Sequence, residues 1–87
     1  MITIWKFPIE ITRNQTIIVP ENAKVLHVGL DTEGTPCLWC QVETNNTRVD
    51  MPVAVVGTGF ALPTESGWTY AGSFNQGPFG WHVFTEH

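Results

Sequence analysis

Apolar residues recur at every second position in short runs rich in Ile, Val, Thr, Trp and Phe, and Gly, Pro, Asn or Asp bounds each run. A period of two puts successive side chains on opposite faces of an extended chain, so these runs predict β-strands. No ten-residue stretch has the three-and-four spacing of an amphipathic helix, and at most one helical turn is expected. With 87 residues the chain is expected to form one β domain over 1–87.

The first run covers Thr3 to Phe7 and continues past Pro8 into Ile9-Glu10-Ile11. Ile2 and Ile4 point one way and Trp5 and Phe7 the other, so this strand is expected either to be buried on two sides or to join a subunit interface. Arg13-Asn14-Gln15 reads as a turn. Thr16 to Val19 is a second strand, stopped by Pro20. Lys24 to Leu30 is a third, with Leu26, Val28 and Leu30 on one face and Val25, His27 and Gly29 on the other. It is expected to form a hairpin with Cys37 to Glu43 across Asp31 to Pro36.

A fifth strand spans Arg48 to Val56. Pro52 cannot donate a ladder hydrogen bond, so an edge position or a bulge is expected there. Phe60 to Gly67 is the longest connection, and Trp68 to Phe74 and Phe79 to Thr85 form a last hairpin. Seven short strands with short turns predict an antiparallel barrel or a two-layer sandwich, and the alternation fits both.

Charged residues are 14% of the chain, against about 25% in ordinary soluble domains. The ten aromatic rings include four Trp, more than one small core comfortably covers. An outer aromatic face is therefore expected, and with it a homo-oligomer or a ligand surface. The net charge is -4, and Lys6, Arg13, Lys24 and Arg48 are scattered, so the cation cluster needed for duplex nucleic acid is missing. The N-terminus lacks the pattern of a signal peptide, and no apolar run reaches membrane-spanning length, so a cytoplasmic location is expected. Asn14-Gln15-Thr16 and Asn45-Asn46-Thr47 read as turns, since nothing points to a glycosylating compartment.

Cys37-Leu38-Trp39-Cys40 has the spacing of a redox pair. Such pairs sit at helix starts, whereas residues three apart on a strand face opposite ways, so two unmodified thiols are expected. A structural zinc site wants a second such pair, which is missing, and neither metal nor cofactor is expected. His82 reads as a packed or surface residue and His87 as a loose terminal one; His27, beside Val25 and Gly29, is the candidate ligand contact. Asp31, Glu33, Glu43 and Asp50 lie at turns and strand ends, where carboxylates are solvated.

Gly57-Thr58-Gly59 lacks the following helix of a phosphate loop and reads as a strand terminator, although successive amides there would suit an anion. Among the aromatic residues, Trp68 and Tyr70 share a face by spacing. They are the candidate stacking platform for a flat ligand, close to Gly57, Thr58 and Gly59.

Ile4-Trp5-Lys6-Phe7-Pro8, Leu26-His27-Val28-Gly29, Pro36-Cys37-Leu38-Trp39, Val56-Gly57-Thr58-Gly59 and Trp81-His82-Val83-Phe84 together resemble a family of small proteins encoded by tailed bacteriophages and prophages. The resemblance spans nearly the whole chain and implies a context, the cytoplasm of an infected host, with no catalytic or binding residue to carry over. In that context an accessory protein is expected to act by binding. It would antagonise a host defence by sequestering a nucleotide-derived signal or by capping a host effector protein; the alternative is a minor structural or assembly protein of the particle. No nucleophile, base and orienting group stand out together, so an enzyme is not expected.

Overall fold

A computed structural model describes residues 1–64 and 66–86. His87 lies outside the described residues. Seven strands form: β1 (Ile2–Pro8), β2 (Gln15–Pro20), β3 (Lys24–Leu30), β4 (Pro36–Glu43), β5 (Arg48–Gly57), β6 (Trp68–Gln76) and β7 (Phe79–Glu86). They build two antiparallel sheets, β1-β4-β3 and β2-β5-β7-β6. Among the described residues no ladder joins the sheets, so the choice between barrel and sandwich falls to a two-layer sandwich.

The inner faces follow from the ladders. Leu38, Cys40 and Val42 of β4 face Met51, Val53 and Val55 of β5, and Val83 of β7, Phe74 of β6, Val28 of β3 and Val19 of β2 join them in the core. The layers approach closest where β3 meets β6, and there a Cβ on Gly72 would lie 3.0 Å from Val28 Cγ2.

Three expectations change. The first strand ends at Pro8, and Ile9 turns into the core at 4% exposure, its N–H bonded to Pro36 O at 2.9 Å. Pro52 sits in the interior strand β5, without a bulge. The Glu21 N–H to Thr47 O bond continues the β2–β5 register and shows that odd residues of β5 bond to β2. Pro52 therefore directs its missing N–H toward β7, whose ladder begins only at Val53. A local edge serves the same purpose as a whole edge strand.

The third change is in β3. A bulge between Val25 and His27 breaks the expected alternation, so Val25 and Val28 both face inward while His27 faces out. The β3–β4 hairpin forms as expected.

Asp31 closes that hairpin. Its Oδ1 accepts the N–H groups of Glu33 and Thr35, each at 2.9 Å, and its Oδ2 accepts Lys6 Nζ at 3.0 Å. The Thr35 amide first, and then Lys6, hold the carboxyl down at about 2. Such a group stabilises the fold above its ordinary value of 3.8, and this contribution is lost as pH falls toward about 2. Asp31→Asn should thus flatten the acid limb of a stability–pH curve between those values, measured by urea unfolding, and leave the neutral limb with a constant offset.

Cys37 and Cys40 are free and buried. Cys40 pairs in register with Trp5 and Val25 on the inner face, whereas Cys37 lies on the outer face beside Asp31, so the thiols diverge as their spacing on a strand predicts. Burial pushes the Cys40 thiol up to about 11, and burial, with Asp31 next, raises that of Cys37. Neither has the lowered pKa of a reactive thiol.

Candidate functional site

The outer face of the four-stranded sheet carries Trp68, Tyr70 and Thr58 of the predicted site. In β6 and β7 the pairs Trp68↔Glu86, Tyr70↔Phe84 and Ser73↔His82 stand side by side, facing out. A bulge between Tyr70 and Gly72 makes this possible. Without it Trp68, Tyr70 and Phe74 would share one face by alternation; with it Phe74 stays in the core while Trp68 and Tyr70 reach the surface.

His82 ties this face together. Its Nε2 lies 2.8 Å from Thr58 Oγ1 and its Nδ1 lies 3.0 Å from the Tyr70 hydroxyl. Thr58 Oγ1 also lies 3.3 Å from Gly80 O. When Thr58 donates to that carbonyl, His82 must donate from Nε2 and accept from Tyr70 at Nδ1, so one tautomer satisfies all three bonds. Tyr70 packs edge-on against Phe84 at 5.3 Å and is 53% exposed.

The turn Gly57-Thr58-Gly59-Phe60 closes with Phe60 N–H on Gly57 O, and Gly59 takes φ +93, which favours glycine. Gly57 is bare because Phe60 Cδ2 would come within 2.8 Å of a Cβ there. Two amides of the anion cradle anticipated from these glycines are already engaged. The Thr58 and Phe60 amides are engaged by Gly80 O and Gly57 O, so they are turned neither toward an anion nor toward an oxyanion beside the Thr58 hydroxyl.

Trp68 leads to a second feature that the sequence did not reveal. A cleft of about 320 Å³ is lined by Trp68, Arg13, Asn14, Ala54, Pro63 and Glu86. Arg13 comes from the β1–β2 connection, which the Thr12 O to Val55 N–H bond lays across β5. One Arg13 Nη donates to Ala61 O at 2.8 Å, joining this connection to the β5–β6 loop, and among the described residues no carboxylate pairs with the guanidinium. The indole N–H of Trp68 is buried with no acceptor among the described residues, a state that costs about 1–3 kcal/mol.

The remaining candidate, His27, lies on the opposite outer face. It packs against Trp39 at 5.2 Å with the rings tilted by 46° and covers Gly29, so it belongs to no site with Trp68 and Tyr70. Arg13 and Glu86 were missed because contact between strand ends distant in sequence leaves no local signal. His82 was missed because Tyr70 reaches it only through the bulge in β6, and Thr58 only through the β5–β7 ladder. Among the described residues no cluster of His, Cys, Asp and Glu has the geometry to hold a metal ion, and no helix is long and apolar enough to cross a membrane.

The molecule is thus a two-sheet β-sandwich with an aromatic outer face and a cleft bearing a guanidinium. A family model described as a domain of unknown function (DUF7352) matches residues 1–87, and the chain belongs to that family. Searches of curated proteins and of solved structures found no match.

Proposed function

We propose that the protein acts by binding a flat, anionic small molecule of the nucleotide type, with the Arg13–Trp68 cleft as its seat. The observation that carries this reading is that a guanidinium with no carboxylate partner among the described residues and an indole line one cleft. An aromatic ring offers a sequence-tolerant stacking surface, and a guanidinium offers fork-shaped donors to phosphate. Glu86 on the cleft wall suits an exocyclic amino group, as carboxylates do when they read cytosine. Neighbouring Tyr70, Phe84 and His82 extend the aromatic surface beyond the cleft.

In the phage setting that the sequence resembles, this is a protein that sequesters a nucleotide-derived defence signal in the host cytoplasm. The half-exposed Tyr70 on a flat face favours a second reading, in which that face caps a host effector protein.

Thermal shift against a panel of mono-, di- and cyclic nucleotides tests the first reading. A ligand at 100 times its Kd should stabilise by about 2.7 kcal/mol, and Arg13→Ala should abolish the shift while leaving the ligand-free melting temperature nearly unchanged. Trp68→Ala should also abolish it; if that variant instead fails to fold, Trp68 is a packing residue. No shift with any nucleotide, together with a stable complex with one host protein, would replace the first reading with the second. Recovery of the protein in purified particles would replace both with a structural role.

A further inference from the structure

We propose that the free edge of β1 is a dimer interface, at which a second copy of this chain adds its own β1 antiparallel about a two-fold axis centred on Ile4.

The sandwich has four strand edges, and three of them offer a shorter or more interrupted open ladder than β1. β3 and β6 each carry a bulge, and they face one another where the layers meet. On β2 the odd residues bond to β5, so Thr16, Ile18 and Pro20 point outward; Pro20 has no N–H, and its carbonyl accepts the Ala23 N–H. Bulges and prolines are the usual means by which sheets prevent edge-to-edge association.

β1 has no bulge, and its one proline, Pro8, closes only the far end of the strand, leaving Ile2, Ile4 and Lys6 open where β2 leaves only Thr16 and Ile18. The bonds Thr44 N–H to Met1 O and Ile9 N–H to Pro36 O both lie on its register with β4, so odd residues bond inward. Ile2, Ile4 and Lys6 therefore direct their N–H and C=O groups out of the free edge, with no bulge among them. Lysine is a common edge guard, yet Lys6 is tied to Asp31 of its own chain at 3.0 Å. The side chains of Ile2 and Ile4, 67% and 57% exposed, form an apolar strip beside the edge.

A second copy fits this edge because the pairing is self-complementary. With Ile4 opposite Ile4 of the second copy, Ile2 lies opposite Lys6, the two Lys6 charges stay at opposite ends, and Pro8 falls outside the ladder. Thr3 then lies opposite Trp5 on the inner face, where Trp5 and Phe7 are only partly buried. The product is a six-stranded sheet across a two-fold axis, the commonest symmetry of soluble oligomers.

The opposed Ile4 positions would form a hydrogen-bonded pair, with Cα atoms about 5.5 Å apart, within disulfide range. Ile4→Cys should therefore yield a disulfide-linked dimer on mild oxidation, whereas Ile18→Cys on the β2 edge should not. By light scattering coupled to size exclusion, the unmodified chain should run as a dimer. Ile4→Lys should run as a monomer with an unchanged circular dichroism spectrum, since Ile4 is already exposed in the single chain. The proposal fails if the unmodified chain is monomeric up to 100-fold above micromolar concentration, if Ile4→Lys remains a folded dimer, or if Ile18→Cys cross-links instead. Nucleotide binding is read independently of these measurements.

Discussion

Leu38→Ala should lower stability by about 2–5 kcal/mol, the range for truncating a fully buried leucine. Leu38 is completely buried on the central strand of its sheet, with Phe7 and Val28 as its same-face neighbours in register. The strands on both sides hold these neighbours in place, so the backbone cannot collapse into the space and the cavity term persists. In a domain of this size each kcal/mol moves the melting point by about 4–8 °C, so the expected loss is on the order of 8–40 °C. Thermal unfolding at one fixed protein concentration measures it. A loss below about 1 kcal/mol would mean that the two sheets re-pack far more freely than their ladders allow.

Gly72→Val should be of comparable severity for two separate reasons. Gly72 takes φ +151, a conformation that side-chain-bearing residues rarely adopt, and strain of this kind costs about 1–3 kcal/mol. A Cβ there would also lie 3.0 and 3.1 Å from Val28 Cγ2 and Cβ, and overpacking of that kind adds about 1–3 kcal/mol. Val28 cannot swing away, being 6% exposed between the sheets. Combining Gly72→Ala with Val28→Ala separates the two costs. The second change relieves the clash but leaves the backbone strain, so the double variant should be more stable than the sum of the singles predicts, yet below Val28→Ala alone. Simple additivity would show that the close approach of β3 and β6 is unimportant. The bulge beside Gly72 also sets the direction of Tyr70, so Gly72→Val should disturb the Tyr70–His82–Thr58 chain.

The strands were legible because their cause is local. β-Branched and aromatic residues at alternate positions, cut by Gly, Pro and Asn, fix where the chain is extended and where it turns. Lys24–Leu30 therefore appears with the boundaries read from sequence, and the other strands within a few residues of theirs. Pro52 misled because a proline reports only one absent donor, and a single strand can have a local edge within an interior position. The candidate site was half legible. Trp68 and Tyr70 share a face as their spacing suggested, and Thr58 reaches Tyr70 through His82, while Trp68 stands at the other end of the ladder. Arg13 and Glu86 were silent because the cleft they line joins a loop near the start of the chain to its last strand.

Sequence alone thus determined an all-β chain of seven strands, poor in charge and with more aromatic surface than its core needs. Tertiary structure decided which face each aromatic residue occupies. The reason is the strict period of two: one inserted residue reverses every side chain beyond it, and the bulges in β3 and β6 do so at Leu26 and Ala71. Whether such an insertion is tolerated depends on what lies across the sandwich. Val28 lies against Gly72 beside the β6 bulge, a contact between strands that no local pattern records.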